Sequence, residues 1–158
     1  MIKLTEIVAP EAIVVQMKAT GRDDCIAELV DALIAANPAL LPVRAELLKK
    51  VLDRERLGST GFGKGVAVPH VKHLAPSKIA AAIGLSARGV DFNAMDKQPV
   101  YSIILLLSPE NRPEEHLQAM EAIFKNLSKE TFRRFLRQAS TLAEVQTLLD
   151  EADNQQLA

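Results

Sequence analysis

The chain alternates between stretches whose apolar residues recur at helical spacing and short, nearly continuous apolar runs, the pattern of helices interleaved with strands. Ile13-Val14-Val15 reads as a strand. Gly21-Arg22-Asp23-Asp24 then opens a helix whose Ile26, Leu29, Val30, Leu33 and Ile34 share one face, and its acidic start complements the helix dipole. Asn37-Pro38 ends that helix. A second is predicted over 43–55, with Leu47, Leu48 and Val51 inward and Arg44, Lys49 and Lys50 outward. Beyond a glycine-dense loop, residues 66–68, 78–86 and 100–108 are candidate strands. The last contains Ile103-Ile104-Leu105-Leu106-Leu107, apolar enough to be buried on both faces. Pro113 suits the first turn of a helix carrying Leu117, Met120, Phe124 and Leu127 on one stripe. Helices over 129–138 and 141–152 follow, and the tail 153–158 is expected to fray.

This interleaving predicts an α/β fold: a single-domain layered sandwich over 1–152, with a central mixed β-sheet flanked by helices on both faces. No internal repeat or flexible linker divides the chain. At 158 residues and 48% hydrophobic content it can bury one substantial core. A net charge of −1 argues against a nucleic-acid footprint or a basic membrane face, so proteins or small molecules are the expected partners. Cys25 is the single cysteine and lies in a helical pattern, where a thiol acts as a small buried hydrophobe, and a reducing compartment fits. The amino terminus lacks the apolar core of a signal peptide, and no run approaches the roughly 20 apolar residues of a membrane span. The expectation is a soluble, cytoplasmic protein without direct membrane insertion.

Candidate chemistry concentrates in Gly58-Ser-Thr-Gly-Phe-Gly-Lys-Gly-Val-Ala-Val-Pro-His70. Four of the seven glycines fall here, so the backbone can take unusual dihedrals and turn N–H donors toward a bound anion. His70 follows a proline, and a neutral imidazole offers one ring nitrogen as a nucleophile toward phosphorus. In α/β folds ligands gather where loops leave the sheet. The Pro69-His70 corner and the connection from Ser108 to His116 both follow candidate strands, so the two histidines can converge.

Rival readings fit less well. Gly58 through Lys64 matches the first seven positions of a nucleotide-binding P-loop, but Gly65 stands where a hydroxyl should hold magnesium, and the order is helix, loop, strand. A dinucleotide fingerprint fails on spacing. His70 and His73 make too few ligands for a metal site, with His116 the only other histidine, and His73 reads as a solvent-facing loop residue. Taken alone, His116 is an ordinary polar residue in a first helical turn, and Arg54 a surface arginine pairing with Asp53 or Glu55.

Taken together, Arg54-Glu-Arg-Leu57, Ser59-Thr60-Gly61, Gly65-Val-Ala-Val-Pro-His70, Asp91-Phe92 through Pro99-Val100, and Pro109 through Glu115-His116-Leu117 resemble the enzyme IIA proteins of the bacterial phosphoenolpyruvate-dependent phosphotransferase system, of the fructose/mannitol and nitrogen-regulatory type. The resemblance runs from about Leu4 to Asp150. It implies that His70 accepts a phosphoryl group, that His116 is the second active-site histidine and stabilises that group, and that Arg54 supplies charge stabilisation. Thr60 and Ser59 are candidates for the phosphoryl shell, and Phe62, Val71 and Leu74 for an apolar collar around the imidazole. One ring nitrogen of His70 would attack phosphorus while the other donates to a backbone carbonyl or carboxylate. The implied partners are a histidine-containing phosphocarrier protein as donor, and an enzyme IIB or regulatory target proteins as recipients. No metal, nucleotide or other cofactor is called for. Val71 departs from the small residue that many relatives carry after the acceptor. The lone IIA unit and the Gly58-Ser-Thr-Gly wording resemble the regulatory branch, with a sugar-specific carrier as the alternative.

Overall fold

The computed structural model describes residues 2–154. A short helix α1 (Leu4–Ile7) and a 3-10 turn (Pro10–Ala12) lead into strand β1 (Ile13–Val14) and helix α2 (Arg22–Ala36). A second 3-10 segment (Pro38–Val43) and helix α3 (Arg44–Leu57) follow. Strands β2 (Gly61–Gly63), β3 (Val66–Ala67), β4 (His70–His73), β5 (Ala80–Val90) and β6 (Val100–Pro109) come next, and helices α4 (Pro113–Leu127), α5 (Glu130–Gln138) and α6 (Leu142–Asp153) complete the order.

The apolar run in β6 makes it the centre of a mixed sheet ordered β1-β5-β6-β3-β2. On one side β5 runs antiparallel to it, with Ile83 opposite Ile104. On the other side β3 and then β4 run parallel to it in succession, with Val66 opposite Ser102 and His70 opposite Leu106. Strand alternation then sorts the side chains. Ile103, Leu105 and Leu107, with Ala67 and Val71, pack against α2 and α3. Ile104 and Leu106, with Val66 and Val68, pack against α1, α4, α5 and α6. Both faces of the sheet are therefore covered, as the interleaved pattern predicts.

Several local expectations are corrected. The Pro69-His70 corner is not a loop: the Pro69 carbonyl accepts from the Leu106 amide at 3.0 Å, so the ladder survives the missing proline N–H and resumes as β4. β5 runs on through the polar residues 86–89 because a register shift between Leu85 and Val90 absorbs them. Helix α4 buries His116, Ala119, Ile123 and Leu127, which leaves Leu117 66% exposed. The inward stripe is thus rotated about one residue from the predicted one. Asp153 does not fray either. It ends α6, and its carboxylate accepts from the amides of Leu4 (2.7 Å) and Thr5 (3.0 Å), capping α1. The remainder of that expected tail, 155–158, lies outside the described residues.

Cys25 is fully buried on α2, and its burial, with Glu28 and Asp24 adding, pushes the thiol up to about 11. It packs as a hydrophobe.

Candidate functional site

His70 opens β4 with its ring half-buried. Its Nδ1 lies 3.0 Å from the Val68 carbonyl oxygen. A carbonyl can only accept, so Nδ1 carries the proton and Nε2 holds the free lone pair. The strand places the imidazole on the α4 face, because its register partner Leu106 packs there.

His116 comes to meet it from the first turns of α4, whose start is fixed by Pro113. The two ring centroids are 5.8 Å apart with their planes at 53°. His116 is only 6% exposed, and its Nδ1 is 2.7 Å from the hydroxyl of the fully buried Ser108 at the end of β6. When that hydroxyl donates, the proton of His116 sits on Nε2. Burial, then the charge of Lys72 and then His70, hold the His116 imidazole below its usual range, so it is neutral at neutral pH. Lys72 reaches this electrostatic neighbourhood because it sits directly opposite Ser108 across the β4/β6 ladder.

Arg54 lies in the last turn of α3, and its Nη1 donates to the Gly58 carbonyl at 2.8 Å. The side chain is thereby folded over the C-terminus of its own helix, where the dipole favours a cation, rather than paired with Asp53 or Glu55. One of its five donors is engaged there, and the rest of the planar fork remains available to an anion.

Thr60 and Ser59 take other work. Thr60 is buried, and its hydroxyl donates to Glu55 in a very short bond while its amide donates to the same carboxylate at 3.2 Å. The Ser59 hydroxyl donates to the Phe92 carbonyl at 2.6 Å and accepts from the Gly61 amide at 3.0 Å. Each hydroxyl has a single proton and has used it, so neither can donate to a phosphoryl oxygen in this arrangement. The glycine-rich loop is likewise not an anion cradle. It folds into a β2–β3 hairpin whose turn holds Gly63, Lys64 and Gly65 at positive φ, and its amides bind Ser59, Glu55 and Asp96. Gly61 is needed there for space: a Cβ would sit 3.0 Å from that of Ala94.

Glu55 is the residue that sequence reasoning missed. It is 2% exposed and anchors Thr60, whose carbonyl accepts from the Val68 amide at 3.2 Å, and Val68 in turn orients His70. Its place between two arginines in Arg54-Glu55-Arg56 hides it, since such runs usually mark a solvated surface. His73 is corrected too. It is buried at 6% exposure and faces α3, where its Nδ1 accepts from the Ala75 amide at 2.9 Å and its Nε2 lies 3.1 Å from Glu46. Three positions along a strand reverse the facing, so His70 and His73 cannot share a ligand. The same parity turns Val71 away from the imidazole and into the α2/α3 core, while Leu74 is exposed and Phe62 packs on Phe124 at 4.8 Å between ring centroids.

Known proteins share this sequence pattern and fold. The family model described as "Phosphoenolpyruvate-dependent sugar phosphotransferase system, EIIA 2" matches residues 6–152. A nitrogen regulatory protein of Bradyrhizobium diazoefficiens is 34% identical over 148 residues, which are 92% of this chain and 94% of that one. A fructose-specific EIIABC component of Bacillus subtilis is 28% identical across 96% of this chain but only 24% of its own length. Among solved structures, the nitrogen regulatory protein IIA-Ntr of Neisseria meningitidis superposes with a TM-score of 0.81 at 31% identity, covering 91% of this chain and 97% of that one.

Proposed function

Because the chain belongs to the phosphoenolpyruvate-dependent sugar phosphotransferase system EIIA 2 family, we propose that it is a phosphoryl carrier of the nitrogen-regulatory type that takes its phosphoryl group on Nε2 of His70. The observation that carries the reading is the Nδ1–H bond to the Val68 carbonyl, which leaves Nε2 as the nucleophile. The donor is a phosphohistidine on a histidine-containing phosphocarrier protein. The lone pair of Nε2 forms the new N–P bond as the donor's N–P bond breaks and its electron pair returns to the donor imidazole. The His70 ring gains positive character in that step, and the Val68 carbonyl dipole stabilises it.

Phosphoryl transfer of this kind passes through a loose transition state, so the protein's work is alignment and donors for the equatorial oxygens. His116, neutral and with its proton on Nε2, donates to one such oxygen, with Ser108 keeping its ring in place. Arg54 swings its fork from Gly58 to the phosphoryl group or to the incoming carrier. Thr60 and Ser59 act on the loop and Glu55 on the Val68–His70 turn, by position rather than contact. The partners dock on the exposed apolar side chains of this face, Leu117 and Phe124 on α4 and Leu74 after β4, a patch suited to small, transient interfaces.

The regulatory branch is favoured by relatives named nitrogen regulatory protein that match over nearly their whole length. The sugar-specific reading, with an enzyme IIB as recipient, rests on the fructose-specific relatives. Incubation with phosphoenolpyruvate and the two general phosphotransferase proteins tests the proposal. One acid-labile phosphoryl group per chain is expected by mass spectrometry and is lost in His70→Ala, and undiminished labelling of that variant would refute the assignment. Chasing the labelled protein with purified fructose- and mannitol-type IIB domains separates the branches: rapid transfer selects the sugar carrier, and retained label selects the regulator.

A further inference from the structure

A concave site lies on the same face of the sheet as His70 but at the opposite end of the strands. It is a cavity of about 630 Å³ between the β2–β3 hairpin turn, the start of β6 and helix α5. That volume falls within the ~300–1,000 Å³ typical of small-molecule sites. Ser102 in its wall is four residues along β6 from Leu106, the register partner of His70, a separation of about 13 Å at ~3.3 Å per residue.

Its lining is cationic. Helical spacing brings Arg133, Arg134 and Arg137 of α5 to its rim, and Lys64 joins them from the hairpin turn. Two carboxylates also line it, Asp96 and Glu130. Asp96 is committed to the amides of Gln98 and then Lys64, at 3.0 Å each, and these hold it below the usual carboxylate range. Among the described residues, none of the three guanidiniums has a carboxylate partner. A chain with a net charge of −1 thus keeps four cations around one hollow, against two acids.

Two of these arginines are pre-oriented. The guanidinium carbon of Arg137 stacks 3.5 Å from the centroid of the Tyr101 ring, a contact that restricts the guanidinium while leaving its N–H donors to other partners. Arg133 donates Nη1 to the Leu127 carbonyl at 2.8 Å, tying it to the end of α4. Planar donors held this way, in a hollow rather than on a convex surface, match the oxygens of a phosphate group in bidentate fashion.

We propose that this groove binds a small, multiply charged phosphate-bearing anion, independently of the phosphoryl group on His70. Inorganic pyrophosphate is the probe, titrated into the full chain at low ionic strength and followed by calorimetry and amide NMR shifts. Saturable binding is expected, with shifts at Lys64, Tyr101 and α5. It should weaken about tenfold or more in both Arg137→Ala and Arg134→Ala, and survive in His70→Ala. Both arginines are exposed, so the variants should keep the wild-type amide spectrum elsewhere. Absence of saturable binding at millimolar pyrophosphate would overturn the proposal, as would binding that His70→Ala abolishes and the arginine variants leave intact. Neither result touches the phosphorylation assay above.

Discussion

At the residue scale, hydrogen-bond direction does most of the work. The Val68 carbonyl can only accept and the Ala75 amide can only donate, so two histidines three positions apart are held in opposite tautomers: His70 with Nδ1–H, His73 with Nε2–H toward Glu46. His116 gives this scale its pH prediction. Its imidazole is held below the ordinary value of 6.5, first by burial, so below that pH the unfolded chain binds a proton that the native state resists. Stability should therefore fall as pH drops through about 6.5 and below, and the contribution is absent above it. Urea melts at pH 7.5, 6.0 and 5.0 should show this loss in the wild type and a smaller one in His116→Asn. Equal pH dependence in the two would remove His116 from the account.

At the element scale, β6 organises everything, and it was the most legible element because five consecutive branched or long apolar residues can be buried only on both faces of a sheet. Helices α2, α3, α5 and α6 were also readable from spacing. What escaped is physically coherent. β2 and β4 are three and four residues long, too short for any period to register; β4 exists because β6 offers it an edge, and β2 because it folds back on β3. Helix α4 misled because its exposed Leu117 and Phe124 mimic a core stripe, while the buried one includes the polar His116 and Asn126. The candidate site was legible as a set of residue types, but the commitments of Thr60, Ser59 and Glu55 depend on loop geometry that sequence does not display. Close packing of β5 on α2 carries a further prediction. A Cβ at Gly84 would come within 2.5 Å of the Met17 sulfur and 2.8 Å of a Leu29 methyl. Gly84→Val should therefore destabilise the fold by about 1–3 kcal/mol in chemical denaturation. A neutral result would mean that α2 can move away at no cost.

At the scale of the whole molecule, the first and last helices are joined and the two histidine-bearing segments are brought to one end of the sheet. Asp153 closes the first of these by capping α1 across 149 positions of sequence. Asp153→Ala should cost about 1 kcal/mol, the usual loss of a helix cap, and speed amide exchange at Leu4 and Thr5 while leaving phosphorylation of His70 intact. Unchanged exchange at those two amides would contradict the clasp. The second juxtaposition is the one the proposed function rests on: β4 and α4 set the rings of His70 and His116, 46 residues apart in sequence, beside each other, with the Val68 carbonyl fixing the His70 tautomer and the proposed phosphoryl acceptor at its Nε2. The most direct test of that claim is long-range proton–nitrogen NMR of the histidine rings in uniformly 15N-labelled protein, before and after phosphorylation by the general phosphotransferase proteins. The account predicts an Nδ1–H tautomer for His70 in the free protein and phosphorus bonded to Nε2 in the product. An Nε2–H tautomer, or phosphorus on Nδ1, would contradict it.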